Sequence, residues 1–190
     1  MSAANTPTRW GSVAQSLHWV IALLILAQFV LAQLAENAGA LRRENPAAAL
    51  EQLALLARHK SIGITILALA VVRLVWRWTS TVPAMPAAMP GWQVFLARGT
   101  HVAFYALLFA LPITGWITSS TANFPVAWFG LFTLPDLVGP NRELHEQFEE
   151  IHHLCGTALW ILAAVHVAAA LQHHFFAKDD VLKRMLPWRG

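Results

Sequence analysis

Four long apolar segments dominate this sequence and restrict the folds that are open to it. They cover about residues 17–35, 59–78, 101–119 and 152–175. Each approaches the roughly 20 residues that a helix needs to cross a bilayer. Because every backbone polar group in lipid must be paired internally, these segments are expected to be helices rather than strands. The sequence therefore predicts an all-α integral membrane protein with four spans.

Composition supports this interpretation and excludes several classes of protein. Of the 190 residues, 57% are hydrophobic and only 12% are charged, whereas soluble domains carry about 25% charged residues. The length suits one domain, so residues 1–190 are expected to form a single transmembrane unit surrounded by lipid. The basic residues form no stripe, which argues against nucleic acid as a partner. The one cysteine, Cys155, permits no intrachain disulfide and is expected to pack within the fourth span.

The distribution of Lys and Arg between the connecting segments predicts the orientation in the membrane. Four spans place both termini on one face, which holds eight of these residues, Arg189 among them, against five on the other face. Because cytoplasmic loops carry the excess of positive charge, both termini are expected in the cytoplasm. The alternative is that residues 17–35 belong to a signal peptide cleaved near residues 38–40, but their apolar run is long for that role.

The three connections differ in composition and are expected to differ in structure. Residues 46–58 are rich in Ala and Leu and are expected to form a helical lead-in to the second span. Residues 79–99 contain three prolines and are expected to form an irregular cytoplasmic loop. The longest loop, 119–151, is expected to hold a solvated His145. Its apolar segment 124–132 is too short to span, so we expect it to cap the outer end of the bundle.

Histidines within the spans are the unusual feature, because ionisable residues in a membrane are costly and mark functional sites by default. His152 and His166 are fourteen residues apart in the fourth span, so they share a helix face and lie about 21 Å apart along it. His18 matches the depth of His166, and His59 matches the depth of His152. The neighbouring His153 points about 100° away from His152. The sequence therefore predicts two histidine pairs, one near each membrane surface.

A small residue follows each paired histidine by four positions, on the same helix face. These residues are Ala22, Gly63, Gly156 and Ala170. Small side chains leave room between helices for a flat, bulky group, and two imidazoles across one iron fill both axial positions. The pattern therefore predicts two haems, each held by facing histidines, in a protein that transfers electrons rather than binds oxygen.

Other polar residues near the pairs are candidates for contacts with cofactors or substrates. Arg73 follows His59 by fourteen positions and is expected to pair with a haem propionate or to extend to the interface. His101 has no partner at its depth; it is a candidate donor to a propionate or a quinone, or only an anchor for the third span. His173, near the face of His166, is a candidate contact for a quinone head group or an interfacial histidine.

These motifs resemble the bacterial cytochrome b561 family, which is related to the cytochrome b subunits of nickel–iron hydrogenases and formate dehydrogenases. The matching pieces cover nearly the whole chain: Ser16-Leu-His-Trp19, His59-x-x-x-Gly63, Val72-Arg73-Leu74, His101 with Leu111-Pro-Ile-Thr-Gly115, the segment from His152 to Phe176, and the tail from Lys178 to Pro187. The resemblance implies a four-helix bundle with two haem b groups, ligated by His18 with His166 and by His59 with His152.

The resemblance also implies a reaction and a location. Short members of the family are similar to superoxide oxidases, which pass electrons from periplasmic superoxide to ubiquinone in the bacterial inner membrane. His173 would then lie near the quinone. Arg58 and Lys60, near the outer haem, are candidates for steering the superoxide anion, and no residue is assigned a catalytic role.

Two other functions stay open at this point. The first is a membrane anchor and electron conduit for a partner dehydrogenase or hydrogenase. The second is a haem-free metal or proton transporter that uses the membrane histidines, although these lack the intramembrane carboxylate neighbours of a proton relay. The haem content of the purified protein separates the transporter from the two cytochromes.

Overall fold

Four long helices form the computed structural model, which describes residues 2–86 and 89–187. They are α1 (Ser12–Leu41), α2 (Pro46–Thr79), α3 (Gly91–Thr121) and α4 (Arg142–Gln172), and α4 continues as a π-helical turn over His173–Ala177. Each is long and apolar enough to cross a membrane. The predicted all-α membrane bundle with four spans is therefore confirmed. Arg189, which entered the charge count, lies outside the described residues.

The second helix begins well before its apolar span. The side chain of Asn45 accepts a hydrogen bond from the backbone of the first turn, and Pro46 is the first helical residue. Asn before a helix and Pro at its start are both favoured there. The predicted lead-in over residues 46–58 is confirmed. The predicted loop 79–99 is shorter than expected, because α3 already begins at Gly91.

The fourth helix also begins early, which corrects the prediction for His145. α4 starts at Arg142, so the loop before it ends at Asn141, whose side chain accepts a hydrogen bond from the first turn. His145 is therefore helical and half-buried, with its Nδ1 3.1 Å from the carbonyl oxygen of Thr118 on α3. The prediction that His145 is a solvated loop residue was wrong. The first turns of α4 are polar, so no apolar pattern in the sequence indicates that a helix begins there.

The helices pack as two close pairs, α1 with α2 and α3 with α4, and α2 joins the pairs through α3. One apolar cluster lies at the centre of α1, α2 and α3, and comprises Ile21, Ile66, Ala70 and Leu108. A second, smaller cluster joins α1 to α2 through Ala35, Ala38 and Leu55. Among the described residues, α4 buries only Leu159 and lacks the close packing on α1 and α2 that it has on α3. The face of α4 towards α1 and α2 is thus largely uncovered by protein.

Both chain ends lie at one end of the bundle, which we call the terminal end. The side chains of Gln15 and Trp19 on α1 donate hydrogen bonds to the carbonyls of Arg184 and Met185, at 2.9 and 2.8 Å. The N-terminal segment also pairs with the loop between α2 and α3, since the backbone N–H of Ala84 donates to the carbonyl of Pro7. The three polar segments at this end therefore brace one another.

A two-stranded hairpin closes the other end, which we call the hairpin end. Strands β1 (Ala127–Trp128) and β2 (Phe132–Thr133) pair antiparallel around a turn in which Phe129 and Gly130 have positive φ. The buried hydroxyl of Ser61 on α2 lies 3.0 Å from the carbonyl oxygen of Ala127 and accepts a hydrogen bond from the N–H of Phe129. The predicted cap over residues 124–132 is confirmed as a hairpin seated on α2.

Replacement of Ser61 tests how the hairpin is held. We expect Ser61→Ala to destabilise the protein by about 1 kcal/mol, because the partly buried backbone groups of Ala127 and Phe129 lose a hydrogen-bond partner. Thermal unfolding in detergent and proteolysis of the hairpin turn would measure the loss. Thr79→Ala is the control, since the Thr79 hydroxyl bonds only to carbonyls of its own helix. Equal effects of the two substitutions would contradict the role of Ser61.

Candidate functional site

The structure brings together both histidine pairs that the sequence predicts. At the hairpin end, the rings of His59 on α2 and His152 on α4 have their centres 6.2 Å apart. At the terminal end, the rings of His18 on α1 and His166 on α4 have their centres 6.3 Å apart. Both pairs cross the uncovered face of α4, so imidazoles bridge the space where helix packing is missing.

These separations fit an iron ion between each pair of imidazoles. A nitrogen ligand lies about 2 Å from a metal ion, and the centre of an imidazole lies about 1.2 Å behind the coordinating nitrogen. Two imidazoles on opposite sides of one iron therefore have their centres about 6.4 Å apart. The observed 6.2 and 6.3 Å agree with this value.

The hydrogen bonds of His152 prepare one ring nitrogen for a metal. Its Nδ1 lies 3.0 Å from the carbonyl oxygen of Leu111 and 3.1 Å from the hydroxyl of Thr114. Because that hydroxyl donates to the carbonyl of Ala110 on its own helix, it is free to accept from His152. Nδ1 therefore carries the proton, and Nε2 keeps the lone pair that a metal requires. His153, by contrast, is exposed, which agrees with the preference for His152.

The surroundings of His59 include a residue that the sequence analysis missed. The Nδ1 atom of His59 is buried without a hydrogen-bond partner among the described residues. The side-chain amide of Gln28 on α1 donates to the carbonyl of His59, at 3.0 Å. A glutamine within an apolar span is itself a signal of function, since polar groups are costly in lipid.

The terminal end holds a third histidine beside the predicted pair. The ring centre of His101 on α3 lies 6.2 Å from that of His166, and Phe104 lies 5.2 Å from the same ring. The expectation that His101 lacks a partner at its depth was therefore wrong. In the part of the chain that the structure describes, the buried Nδ1 atom of His101 has no hydrogen-bond partner. By distance alone, His18 and His101 are equally placed to pair with His166.

Two arginines of α2 lie near these three histidines. Arg73 is near His18, His101 and His166, and Arg77 is near His101. Both guanidinium groups belong to half-buried residues, and in the described part of the chain neither has a carboxylate within ion-pair distance. An anionic group between the helices would satisfy them, which fits the expectation of a haem propionate near Arg73.

His173 lies beyond these residues, in the π-helical turn that ends α4. Its Nδ1 lies 2.5 Å from a carboxylate oxygen of Asp179 in the tail, and the other carboxylate oxygen accepts from the N–H of Val181. The next residue, His174, has a buried Nδ1 that finds no hydrogen-bond partner within residues 2–86 and 89–187. His173 is thus held by the tail in a fixed orientation at the terminal end.

Lys60 and Arg58, the two candidates for anion steering, have different surroundings. The ammonium group of Lys60 lies 3.4 Å from the carbonyl oxygen of Phe124 and 5.4 Å from the centre of its ring. Arg58 is exposed and lines an apolar groove between α1 and α2, beside Leu23 and Ile62. Lys60 therefore touches the segment that leads into the hairpin, and the groove beside Arg58 is also lined by Phe129 of the hairpin turn.

Comparisons with known proteins agree with this arrangement. The family model described as prokaryotic cytochrome b561 matches residues 9–188. Cytochrome b561 homolog 2 of Escherichia coli (strain K12) is 33% identical over 98% of this chain and 95% of its own length. Homolog 1 of the same organism is 28% identical over 91% and 94%. A probable superoxide oxidase CybB of Yersinia pestis is 30% identical over 90% and 92%.

Crowding His152 from α3 tests whether its position matters for the cofactor. A methyl group added at Gly115 would lie 3.0 Å from the Cε1 atom of His152, so the ring must shift. We expect Gly115→Ala to lower the haem content of the purified protein, although alanine favours a helix over glycine by about 0.5–1 kcal/mol. Gly99→Ala on the same helix is the control, because nothing lies within 4 Å of the added atom. Unchanged haem content in both variants would contradict this role of His152.

Proposed function

The chain belongs to the prokaryotic cytochrome b561 family of haem-b-binding membrane proteins, and from this premise we propose that it transfers electrons across the bilayer between two haem b groups. Residues 1–190 would form one transmembrane domain around them. The observation that carries the proposal is the two imidazole pairs, with ring centres 6.2 and 6.3 Å apart. His59 and His152 hold one haem, and His18 and His166 hold the other.

The choice of His18 over His101 rests on the space between helices. α3 packs closely along α4, whereas α1 does not. A macrocycle held by His18 and His166 would lie between two helices that are not closely packed, whereas one held by His101 and His166 would have to separate the closely packed α3 and α4. His101 is then free to donate a hydrogen bond from its buried Nδ1 to a propionate, next to Arg73.

The protein residues set what the cofactors can do. The haems, when bound, supply one-electron oxidation and reduction. Two imidazoles on each iron leave no open position for oxygen, which favours electron transfer. The hydrogen bond from His152 to Leu111 fixes the ring that faces the metal. The two ligands on α4 lie about 21 Å apart along the helix, most of the roughly 30 Å hydrocarbon thickness.

We propose ubiquinone as the acceptor, at the terminal end. His173, oriented by Asp179, is the candidate contact for the quinone head group. Reduction of one ubiquinone consumes two electrons and two protons, and the imidazole of His173 is the residue suited to pass protons from the water at this end. The excess of Lys and Arg on the connections at this end supports a cytoplasmic location.

We propose superoxide as the donor, at the hairpin end and on the periplasmic side of the bacterial inner membrane. Two superoxide anions, one ubiquinone and two protons then give two molecules of oxygen and one ubiquinol. The resemblance to a protein named as a probable superoxide oxidase supports this donor. Lys60 supplies positive charge beside the hairpin, where an anion would approach His59.

Histidine variants test the assignment of the ligands. We expect the reduced-minus-oxidised visible spectrum of the purified protein to show two low-spin b haems per chain. His59→Ala should remove mainly the hairpin-end haem and His166→Ala mainly the terminal-end haem, because each loses one axial ligand. His101→Ala is the matched control and should keep both haems. The assignment fails if no haem is found, or if His101→Ala removes a haem and His18→Ala does not.

A charge series at Lys60 tests the proposed donor. Lys60→Glu should slow superoxide-driven ubiquinone reduction by a factor on the order of ten at low ionic strength, since a cation near the entry steers anions. Added salt should reduce the difference, because it screens the charge. Lys60→Gln keeps a donor for the carbonyl of Phe124 without the charge, so it should give an intermediate rate. Equal rates for all three proteins at low salt would contradict steering by Lys60.

A further inference from the structure

Gln28 is the polar side chain of α1 that reaches the hairpin-end site. It lies within the apolar span and is half-buried. Its amide Nε2 donates a hydrogen bond to the main-chain carbonyl of His59, at 3.0 Å. Because a carbonyl oxygen only accepts hydrogen bonds, this contact fixes which end of the amide faces His59. An amide side chain within the membrane is unfavourable unless it is hydrogen-bonded. The bond to the main chain of His59, a proposed ligand, offsets this cost for Gln28.

The ring of His59 lacks a comparable hydrogen bond. Its Nδ1 atom is buried and has no hydrogen-bond partner among the described residues. The Oε1 atom of Gln28 is also buried and has no partner among them. Gln28 therefore holds His59 through the main chain. His152, by contrast, is held at its ring by Leu111 and Thr114 on α3.

Gly63 makes room for this contact. A Cβ atom added at Gly63 would lie 3.2 Å from the Nε2 atom of Gln28. No other side chain and no backbone of another helix lies within 4 Å of that added atom. The glycine four positions after His59 therefore accommodates the amide that binds the carbonyl of His59.

We propose that Gln28 is a positioning residue for His59, and that it acts through the hydrogen bond from its side-chain amide. This inference rests on the assignment of His59 as an axial ligand. The amide fixes the main chain of α2 at the ligand and so sets the position from which the ring of His59 extends. α1 thus serves both haem sites, since it supplies His18 to one and orients His59 in the other.

Gln28→Met tests the proposal with a side chain of similar length that has no amide. The measurement uses the His166→Ala protein, in which the hairpin-end haem can be observed alone. Loss of a residue that orients a metal ligand weakens binding by about 10–100-fold, and we expect a loss in that range. The midpoint potential and the low-spin electron paramagnetic resonance signal should shift as well. Gln33→Met is the control, because Gln33 is an exposed glutamine on the same helix.

A second variant keeps Gln28 and moves its amide. Gly63→Ala should shift the potential and the resonance signal in the same direction as Gln28→Met, by a smaller amount. In a Gln28→Ala background, the effect of Gly63→Ala should vanish, because the atom that the methyl group would crowd is absent. An undiminished effect in that background would overturn the proposal that the amide acts on His59.

The outcomes separate this inference from the ligand assignment. If Gln28→Met lowers only the unfolding temperature, and the haem affinity, potential and resonance signal stay unchanged, then Gln28 merely packs and the inference is wrong. The ligand assignment still stands in that case, provided that His59→Ala removes a haem. If His59→Ala removes no haem, the assignment itself fails and the inference fails with it.

Discussion

The structure depends on a space between helices that protein does not fill. In lipid, helices gain little from apolar contact, because the lipid tails are as apolar as the side chains. α1 with α2, and α3 with α4, solve this by close packing, but α4 faces α1 and α2 across an uncovered surface. Two pairs of imidazoles cross that surface. Ligation of a haem iron between them would join the two halves of the bundle at the level where packing does not.

Polar contacts hold the two ends of the bundle. At the hairpin end, Ser61 holds the hairpin on α2. At the terminal end, Trp19 and the carbonyl of Met185 tie the tail to α1. Between the ends, the rings of Phe29 on α1 and Trp160 on α4 have their centres 4.5 Å apart. Because Trp160 lies between His152 and His166 along α4, this aromatic contact separates the two histidine pairs.

The sequence predicts most of the fold because the membrane imposes a strong pattern. Apolar length reveals the four spans, and the helical period sorts His18, His59, His152 and His166 into pairs that the structure brings together. The same reasoning fails where neither rule applies. The position of a residue along a helix gives its depth in the membrane, but it does not give the angle at which two helices pack. The approach of His101 to His166 could therefore not be predicted from the sequence.

The positions of His145 and Gln28 were not predicted from the sequence, for two separate physical reasons. The first turns of α4 lie beyond the lipid and carry charged residues, so His145 looks like part of a loop until the contacts with α3 are known. Gln28 was missed because one amide in an apolar span has no spacing pattern, and its partner is a backbone carbonyl that no sequence motif marks. Both residues act through main-chain contacts, which depend on how helices are set beside each other.

The presence of one histidine of each pair on α4 has a consequence for the proposed electron transfer. Because His152 and His166 lie on the same helix, the distance between them is fixed by α4 itself. A shift of α1 or α2 against α4 would move the partner imidazoles of His18 and His59 but would leave this distance unchanged. α4 then ends in a π-helical turn, a form often found at functional sites, and Lys178 adopts a positive φ of 55° as the chain leaves it. The turn brings His173 to Asp179. The rigid part of α4 therefore sets the geometry of electron transfer, and its irregular end sets the geometry of the proposed proton transfer.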